Sequence, residues 1–315
     1  MNTGVKITAF AAAVAATFTA AYGVGAAADP IDQDPRPATH HAAHDGGTLA
    51  GHGHGDGHAD TTPAGLQVSQ AGYTLDLKTA RLTAGEKGEL RFALRDQQGR
   101  PVTSYRREHG KELHLILVSR DLLTYRHLHP TRAADGTWST PVTLPNAGSY
   151  RVLADFTPAA EGATDITLGA DLAVSGTYQA SALPEAAATT TVDGYTVTLD
   201  GELAPGAAAE VTLSVSRNGR PVRDLQPYLG AYGHLVALRS GDLAYLHVHP
   251  NGEPGDGTTR PGPGISFTAT APSAGTYRLF LDFKHDGTVH TAAFTVQTGK
   301  PATPKTAGAH GDHQH

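Results

Sequence analysis

Apolar and polar residues alternate in short runs along the chain between residues 65 and 298. Four runs rich in Val, Leu, Thr and Tyr predict β-strands, at residues 74–77, 89–95, 112–118 and 150–156. Gly, Pro and Asp separate such runs at intervals typical of a β-sandwich, and no stretch beyond the first 28 residues has convincing helical periodicity. The pattern therefore predicts an all-β protein made of immunoglobulin-like or cupredoxin-like sandwiches.

An internal repeat divides this region in two. Four motifs occur twice: Gly-Tyr-Thr at 72–74 and 194–196, Arg-Pro-Val at 100–102 and 220–222, His-x-His-Pro at 127–130 and 247–250, and Gly-Ser/Thr-Tyr-Arg at 148–151 and 275–278. The offset is 120 residues at the second and third motifs and 127 at the fourth, so seven extra residues are expected in the loop 251–264. The repeat predicts two tandem sandwiches, at residues 65–178 and 188–298.

The two ends of the chain lack this alternation. Residues 1–28 combine Lys6, an alanine-rich apolar run and three final alanines, which predicts a signal peptide or a membrane anchor. Residues 29–64 and 299–315 are rich in Gly, Ala, Pro and His and are predicted to be disordered His-rich segments. We therefore expect an extracytoplasmic protein, either secreted or anchored to the outer face of the cytoplasmic membrane.

The amino-acid composition limits the kinds of metal site and partner that the chain can have. The chain has 18 histidines, no cysteine and a single methionine, Met1, which excludes disulfides, thiolate metal sites and methionine-based copper(I) sites in the mature chain. With a formal net charge of −6, the chain lacks the positive electrostatic potential that nucleic-acid binding requires, so nucleic acid is not an expected partner. Nine of the histidines lie in the two terminal segments, and the other nine lie in the predicted sandwiches.

Three histidines in each predicted sandwich share the spacing His-x12-His-x-His. They are His114, His127 and His129 in the first and His234, His247 and His249 in the second. A hairpin turn centred between Arg120 and Asp121 places His114 directly opposite His127, and the second copy follows with a centre between Ser240 and Gly241. Opposed residues and residues two apart on one strand point to the same face. We therefore predict a three-histidine site for copper(II) or zinc in each sandwich.

An aspartate on a later strand accompanies each histidine set. Asp155 in the first repeat and Asp282 in the second have three alternative roles: a direct metal ligand, a hydrogen-bond acceptor that fixes a histidine tautomer, or a solvated polar residue. Alternation over residues 277–283 leaves Asp282 and Phe280 on the same face. His290 is expected opposite Phe283 across an Asp-Gly turn, and so on a different surface from the metal site.

Three segments resemble a known family. The sequences at 228–234, 245–250 and 275–283 resemble secreted bacterial β-domain proteins that carry Gly-His and His-x-His-Pro motifs and accompany copper or other heavy-metal handling systems. The first repeat, through residues 112–114 and 127–130, looks like a diverged copy. The resemblance implies a sandwich fold and a metal-related role at the cell exterior. Because this chain lacks the methionines and cysteines of many such proteins, copper(II) or zinc is favoured over copper(I).

The sequence therefore predicts a non-enzymatic extracytoplasmic protein that buffers or delivers copper(II) or zinc. Its expected partners are metal ions and a membrane metal transporter or another extracytoplasmic metal protein. Two alternatives stand beside this interpretation. One is an adhesion or ligand-binding sandwich protein with structural histidines, and the other is a zinc-dependent hydrolase with an open water position. A site in a pocket, as opposed to an open sheet face, is the feature that bears on the last alternative.

Overall fold

The computed structural model describes residues 62–246 and 248–299, except for the side chain of His249. The predicted signal peptide or anchor and nearly all of the two His-rich segments lie outside these residues, as does His247. Within the described ranges, no helix is long and apolar enough to cross a membrane.

The described residues form twenty β-strands. In chain order they are β1 (Ser69–Gln70), β2 (Tyr73–Leu77), β3 (Arg81–Thr83), β4 (Lys87–Arg95), β5 (His114–Ser119), β6 (Tyr125–Leu128), β7 (Thr131–Arg132), β8 (Thr137–Thr143), β9 (Gly148–Phe156), β10 (Ile166–Ser175), β11 (Thr189–Val192), β12 (Tyr195–Asp200), β13 (Ala208–Arg217), β14 (Arg220–Pro221), β15 (Gly233–Arg239), β16 (Tyr245–Leu246), β17 (Val248–Pro250), β18 (Gly264–Thr270), β19 (Gly275–His285) and β20 (Thr288–Thr298).

These strands build two sandwiches in tandem. In the first sandwich, a sheet in the order β1-β2-β4-β8-β7 faces a sheet in the order β3-β10-β9-β5-β6. In the second, β11-β12-β13-β18-β17, with β14 beside β13, faces β16-β15-β19-β20. Each half has its own apolar core, made of the inward residues of both of its sheets. The prediction of an all-β chain of tandem sandwiches is confirmed.

The two sandwiches pack against each other through one sheet of each. The interface cluster consists of Ile116, Val118, Leu122, Tyr125 and Leu153 of the first sandwich and Val236, Leu238, Leu243 and Phe280 of the second. Along β5, Leu115 and Leu117 point into the core of the first sandwich while Ile116 and Val118 point to the interface. The central strands are therefore buried on both faces, which explains their continuous apolar sequences.

The histidine-bearing hairpins have a different register from the predicted one. Leu115 pairs with Leu128 and Ala237 pairs with Leu246, so each turn is centred one residue further along the chain, and His127 lies opposite Ile116. The reason is a four-residue turn in which Leu122 adopts φ 60° and the Leu122 N–H donates to the Ser119 carbonyl. Because the pairing shifts by two residues, the predicted face is unchanged.

Replacing Phe280 with alanine should weaken the interface. The Phe280 ring, 2% exposed, stacks on Tyr125 of the other sandwich with centroids 4.1 Å apart. Its removal leaves a cavity and should lower the free energy of unfolding by about 3–5 kcal/mol in a denaturant titration. Val289→Ala, at a position 39% exposed, is the control and should cost less than about 0.5 kcal/mol. Equal effects of the two substitutions would contradict this assignment.

Candidate metal centre

Three histidines of the first sandwich meet at the edge of the interface cluster. His114 begins β5 on the face that carries Ile116, His127 lies in β6, and His129 lies in the link to β7, where the chain crosses to the other sheet. Each of the three offers a ring nitrogen within 4.8 Å of the other two. Among the residues that the structure describes, this is the one group of His, Asp or Glu found within reach of a single metal ion.

The hydrogen bonds of His114 and His127 determine which of their nitrogens carry lone pairs. His114 Nε2 lies 3.2 Å from the Glu108 carbonyl oxygen, which can only accept, so Nε2 is protonated. His127 Nδ1 lies 2.9 Å from Asp282 Oδ2 and donates to that carboxylate. In their neutral forms the two rings therefore carry lone pairs on His114 Nδ1 and His127 Nε2. These two atoms face each other at 3.1 Å.

His129 completes the group. Its Nε2 is buried and has no hydrogen-bond partner in the structure. Its ring centroid is 5.3 Å from that of His114 and 4.8 Å from that of His127. A buried polar atom without a partner is costly, so this nitrogen is a natural ligand for an ion held between the three rings.

Burial keeps the imidazoles of His114 and His129 neutral at neutral pH. Loss of solvation, followed by the nearby imidazole of His127, lowers the pKa of His114 to about 4. The same two causes lower the pKa of His129 to about 3. Metal binding therefore does not require a proton to be removed from either ring near pH 7.

Asp282 comes to the group from the second sandwich. It pairs with His234 between β19 and β15, it is 2% exposed, and Thr291 Oγ1 donates to its Oδ1 at 2.6 Å. Of the three predicted roles, the structure places it as the acceptor that fixes a tautomer, and the histidine concerned is His127 of the other sandwich. Its burial excludes the solvated role.

The remaining predicted site residues are placed as follows. Asp155 pairs with His114 between β9 and β5, and it accepts a hydrogen bond from Thr167 Oγ1 at 2.7 Å, as Asp282 does from Thr291. His234 is buried at the interface, near the rings of His114 and His127. Because His247 and the side chain of His249 lie outside the described residues, the second three-histidine site stays a prediction.

Four histidines line a cleft of about 400 Å³ between the two sandwiches: His109, His114, His127 and His234. Asp155, Asp165, Glu108 and Glu253 also line this cleft, which gives it an acidic wall that favours cations. The site is therefore not on an open sheet face. A cleft of about 470 Å³ elsewhere, beside β20, has Glu202 as its single titratable lining residue.

His109 is an exposed turn residue that lines the cleft. It lies in a tight turn with Gly110, in which both residues have positive φ, and the second repeat forms the same turn with Leu229 and Gly230. The His109 ring is 5.2 Å from that of His234. The His-Gly pair signals a turn, but nothing in it signals the contact with the other sandwich.

His285 and His290 lie away from this site, as expected. His290 pairs with Phe283 across the two-residue Asp-Gly turn and bonds to Asp193 at 2.8 Å. His285 lies between the Tyr195 hydroxyl, at 2.7 Å, and Asp224, at 3.1 Å. Both histidines are therefore held by partners within the second sandwich.

The chain belongs to a protein family described as a domain of unknown function, DUF8832, which matches residues 67–170 and 190–300. The two matched segments correspond to the two sandwiches. The family description assigns no activity, and no curated protein matches the sequence.

Several solved structures are similar to this chain at low identity. The Escherichia coli adhesin FdeC has 17% identity, with 74% of this chain and 65% of FdeC covered and a TM-score of 0.23. The bacterial integrin-binding protein invasin has 14% identity, with 74% and 41% covered and a TM-score of 0.21. The D0–D1 region of intimin has 11% identity, with 71% and 96% covered and a TM-score of 0.21. This chain thus spans less than two thirds of the length of FdeC and of invasin.

The buried histidines should make stability depend on pH. An unfolded histidine has a pKa of about 6.5, whereas the native pKa is about 4 for His114 and about 3 for His129. Between these values the unfolded chain binds protons that the native chain does not. Stability should therefore be complete above about pH 6.5 and should fall by at least about 2 kcal/mol as the pH drops toward 4.

Denaturant titrations over this pH range measure the loss. The double variant His114→Gln/His129→Gln is the control, because it lacks both groups and should show a flatter profile. Parallel profiles for the wild type and the variant would assign the pH dependence to other residues.

Proposed function

We propose that this protein is an extracytoplasmic, non-enzymatic metal-binding protein that holds copper(II) or zinc through His114, His127 and His129. One observation carries the proposal. His114 Nδ1 and His127 Nε2 each have a lone pair, and the two atoms face each other at 3.1 Å, while the proton of each neutral ring lies on its other nitrogen. Two acceptors at this distance repel each other unless a cation lies between them. A proton or a metal ion can serve, and burial disfavours a proton on His114, because it lowers the pKa of that ring to about 4.

The spacing of the rings fits a metal ion. Around a tetrahedral ion with bonds of about 2.0–2.1 Å, the ligand nitrogens are about 3.3 Å apart and the imidazole centroids about 5.2 Å apart. The three centroid distances are 5.4, 5.3 and 4.8 Å. Neutral imidazole ligands suit zinc and copper(II), and the lack of sulfur ligands in the described site agrees with that choice.

Asp282 would orient the site without binding the metal. A metal-bound histidine usually donates its other N–H to a carboxylate or a carbonyl oxygen, which fixes the tautomer and makes the ring a better ligand. His127 has such a partner in Asp282, and His114 has one in the Glu108 carbonyl. The Asp282 carboxylate is thus committed to His127.

A second candidate function is adhesion or ligand binding by a sandwich protein whose histidines are structural. It is favoured by the position of the His127–Asp282 bond, which joins the two sandwiches at the edge of the apolar interface with both side chains no more than 6% exposed. Such a bond stabilises an interface whether or not a metal is present. Only the metal-binding function predicts that the protein binds zinc or copper(II) tightly and is stabilised by the metal. Buffering or delivery to a membrane transporter or another metal protein is the role we propose for the first candidate.

Metal titration of the full chain tests the proposal. We expect wild-type protein to bind zinc or copper(II) with a dissociation constant of about 1 μM or below, and His127→Gln/His129→Gln to lose that site. A weak competing chelator keeps the terminal histidines unoccupied. Because the variant retains all of them, the difference between the two chains reports the cleft alone. His285→Gln/His290→Gln is the matched control and should bind like the wild type.

Thermal unfolding with and without metal supplies the second measurement. A ligand present at about 100 times its dissociation constant stabilises the native state by about 2.7 kcal/mol. Unchanged stability and unchanged stoichiometry in the His127/His129 variant would overturn the metal-binding proposal and favour the structural role.

Asp282→Asn tests the orienting carboxylate. Asparagine has nearly the same size but no charge, so His127 is held less firmly and is a weaker ligand. We expect the metal affinity to fall about 10- to 100-fold. Asp193→Asn is the matched control, since Asp193 also accepts from a buried histidine, at 2.8 Å, but outside the cleft. An equal loss of affinity in both variants would indicate general destabilisation and not a loss of orientation.

A further inference from the structure

We propose that His234 of the second sandwich is the fourth ligand of this metal site, so that a single ion joins the two sandwiches. The inference rests on the proposed function and extends it. The sequence predicts one independent site in each sandwich. The inference instead describes a single site in the first sandwich, to which the second sandwich adds a ligand.

The tautomer of His234 prepares it for this role. His234 Nε2 lies 2.8 Å from the Tyr228 carbonyl oxygen and donates to it, which leaves the lone pair on Nδ1. The first repeat uses the same device, because His114 donates to the carbonyl of Glu108, six residues before it. His234, which lines the cleft, therefore carries its lone pair on the same nitrogen as His114.

The distances place His234 just outside the three-histidine group. Its ring centroid lies 6.3 Å from that of His114 and 6.0 Å from that of His127. This is about 1 Å more than the spacing of about 5.2 Å expected around a tetrahedral ion. A movement of the His234 ring by about 1 Å toward His114 and His127 would bring it to that spacing, and the cleft of about 400 Å³ lies beside it.

Two neighbouring residues of the second sandwich would then each contribute to the site. His234 on β15 pairs directly with Asp282 on β19. Asp282 orients His127 by a hydrogen bond at 2.9 Å, and His234 supplies the additional nitrogen. Four neutral imidazoles form a ligand set that suits tetragonal copper(II) or tetrahedral zinc. Because the ligands come from both sides, metal binding should hold the interface closed.

Electron paramagnetic resonance of the full chain, loaded with less than one equivalent of copper(II), tests this assignment. The nitrogen couplings should correspond to four imidazoles in the wild type and to three in His234→Gln. Glutamine can still donate to the Tyr228 carbonyl, so the local hydrogen bond is kept while the imidazole is lost. The affinity of the variant should fall at least about tenfold. His290→Gln is the matched control and should leave both readouts unchanged.

The outcomes separate this inference from the proposed function. If His234→Gln keeps the wild-type affinity and nitrogen couplings while His127→Gln/His129→Gln loses binding, the first sandwich binds metal alone and the inference is wrong. If the His127/His129 variant binds copper(II) as tightly as the wild type, the proposed function fails, and the inference fails with it.

Hydrogen exchange on the wild-type chain gives a test that needs no variant. Added zinc should slow amide exchange in β5 and in β15, because the ion is anchored to both strands. Slower exchange confined to β5 and its neighbours in the first sandwich would overturn the inference. Exchange in β20, at the far edge of the second sheet, is the internal reference and should not change.

Discussion

The packing of one sheet from each sandwich against the other constrains the rest of the structure. It buries β5 and β15 on both faces, so every side chain on the interface face loses water whether it is apolar or polar. Apolar residues such as Ile116 and Val236 gain from this. A histidine or an aspartate on the same face must find a partner or lose stability. The polar chemistry of the cleft is a consequence of that requirement.

The partners that satisfy these groups also set their chemistry. The Nε2–H groups of His114 and His234 each donate a hydrogen bond to a backbone carbonyl, while the Nδ1–H group of His127 donates to a carboxylate. Each bond is favourable by itself. Together they turn the lone pairs of His114 and His127 toward each other, and they leave His129 Nε2 without a partner. The hydrogen bonds that satisfy the N–H groups of His114 and His127 thus leave two lone pairs facing each other, and a cation would relieve their repulsion.

The sequence was sufficient for the fold and for the first three-histidine group, but not for the interface. Alternation and the repeat predicted the sandwiches, the Asp286-Gly287 turn, and the opposed pair of Phe283 and His290. The hairpin register was wrong because Leu122 adopts a positive φ that no glycine or asparagine announces. The histidines still converge because side-chain direction depends only on whether a shift is odd or even.

The contact between Asp282 and His127 spans 155 residues of sequence, and only the packing of the sandwiches brings the two together. The apolar run after His114 is itself a signal, since a strand without polar alternation is typically buried on both faces. That signal predicts a second packing surface without identifying its partner. The aspartate could therefore be placed on the correct face of β19 and beside His234 of its own repeat, but not beside His127 of the other.

A tandem repeat in one chain gives this interface a property that two separate copies lack. The linker near residues 176–188 keeps the sandwiches at high effective concentration, so the interface can contain groups that are only partly satisfied. It also lets the two halves differ. His109 of the first repeat corresponds to Leu229 of the second, and Glu108 corresponds to Tyr228, although both turns keep the same hydrogen bonds. A symmetric dimer would repeat each change on both sides. In the joined chain each repeat can therefore bring its own groups to the shared cleft: the first sandwich contributes Glu108 and His109, where the second contributes Tyr245 and Val248.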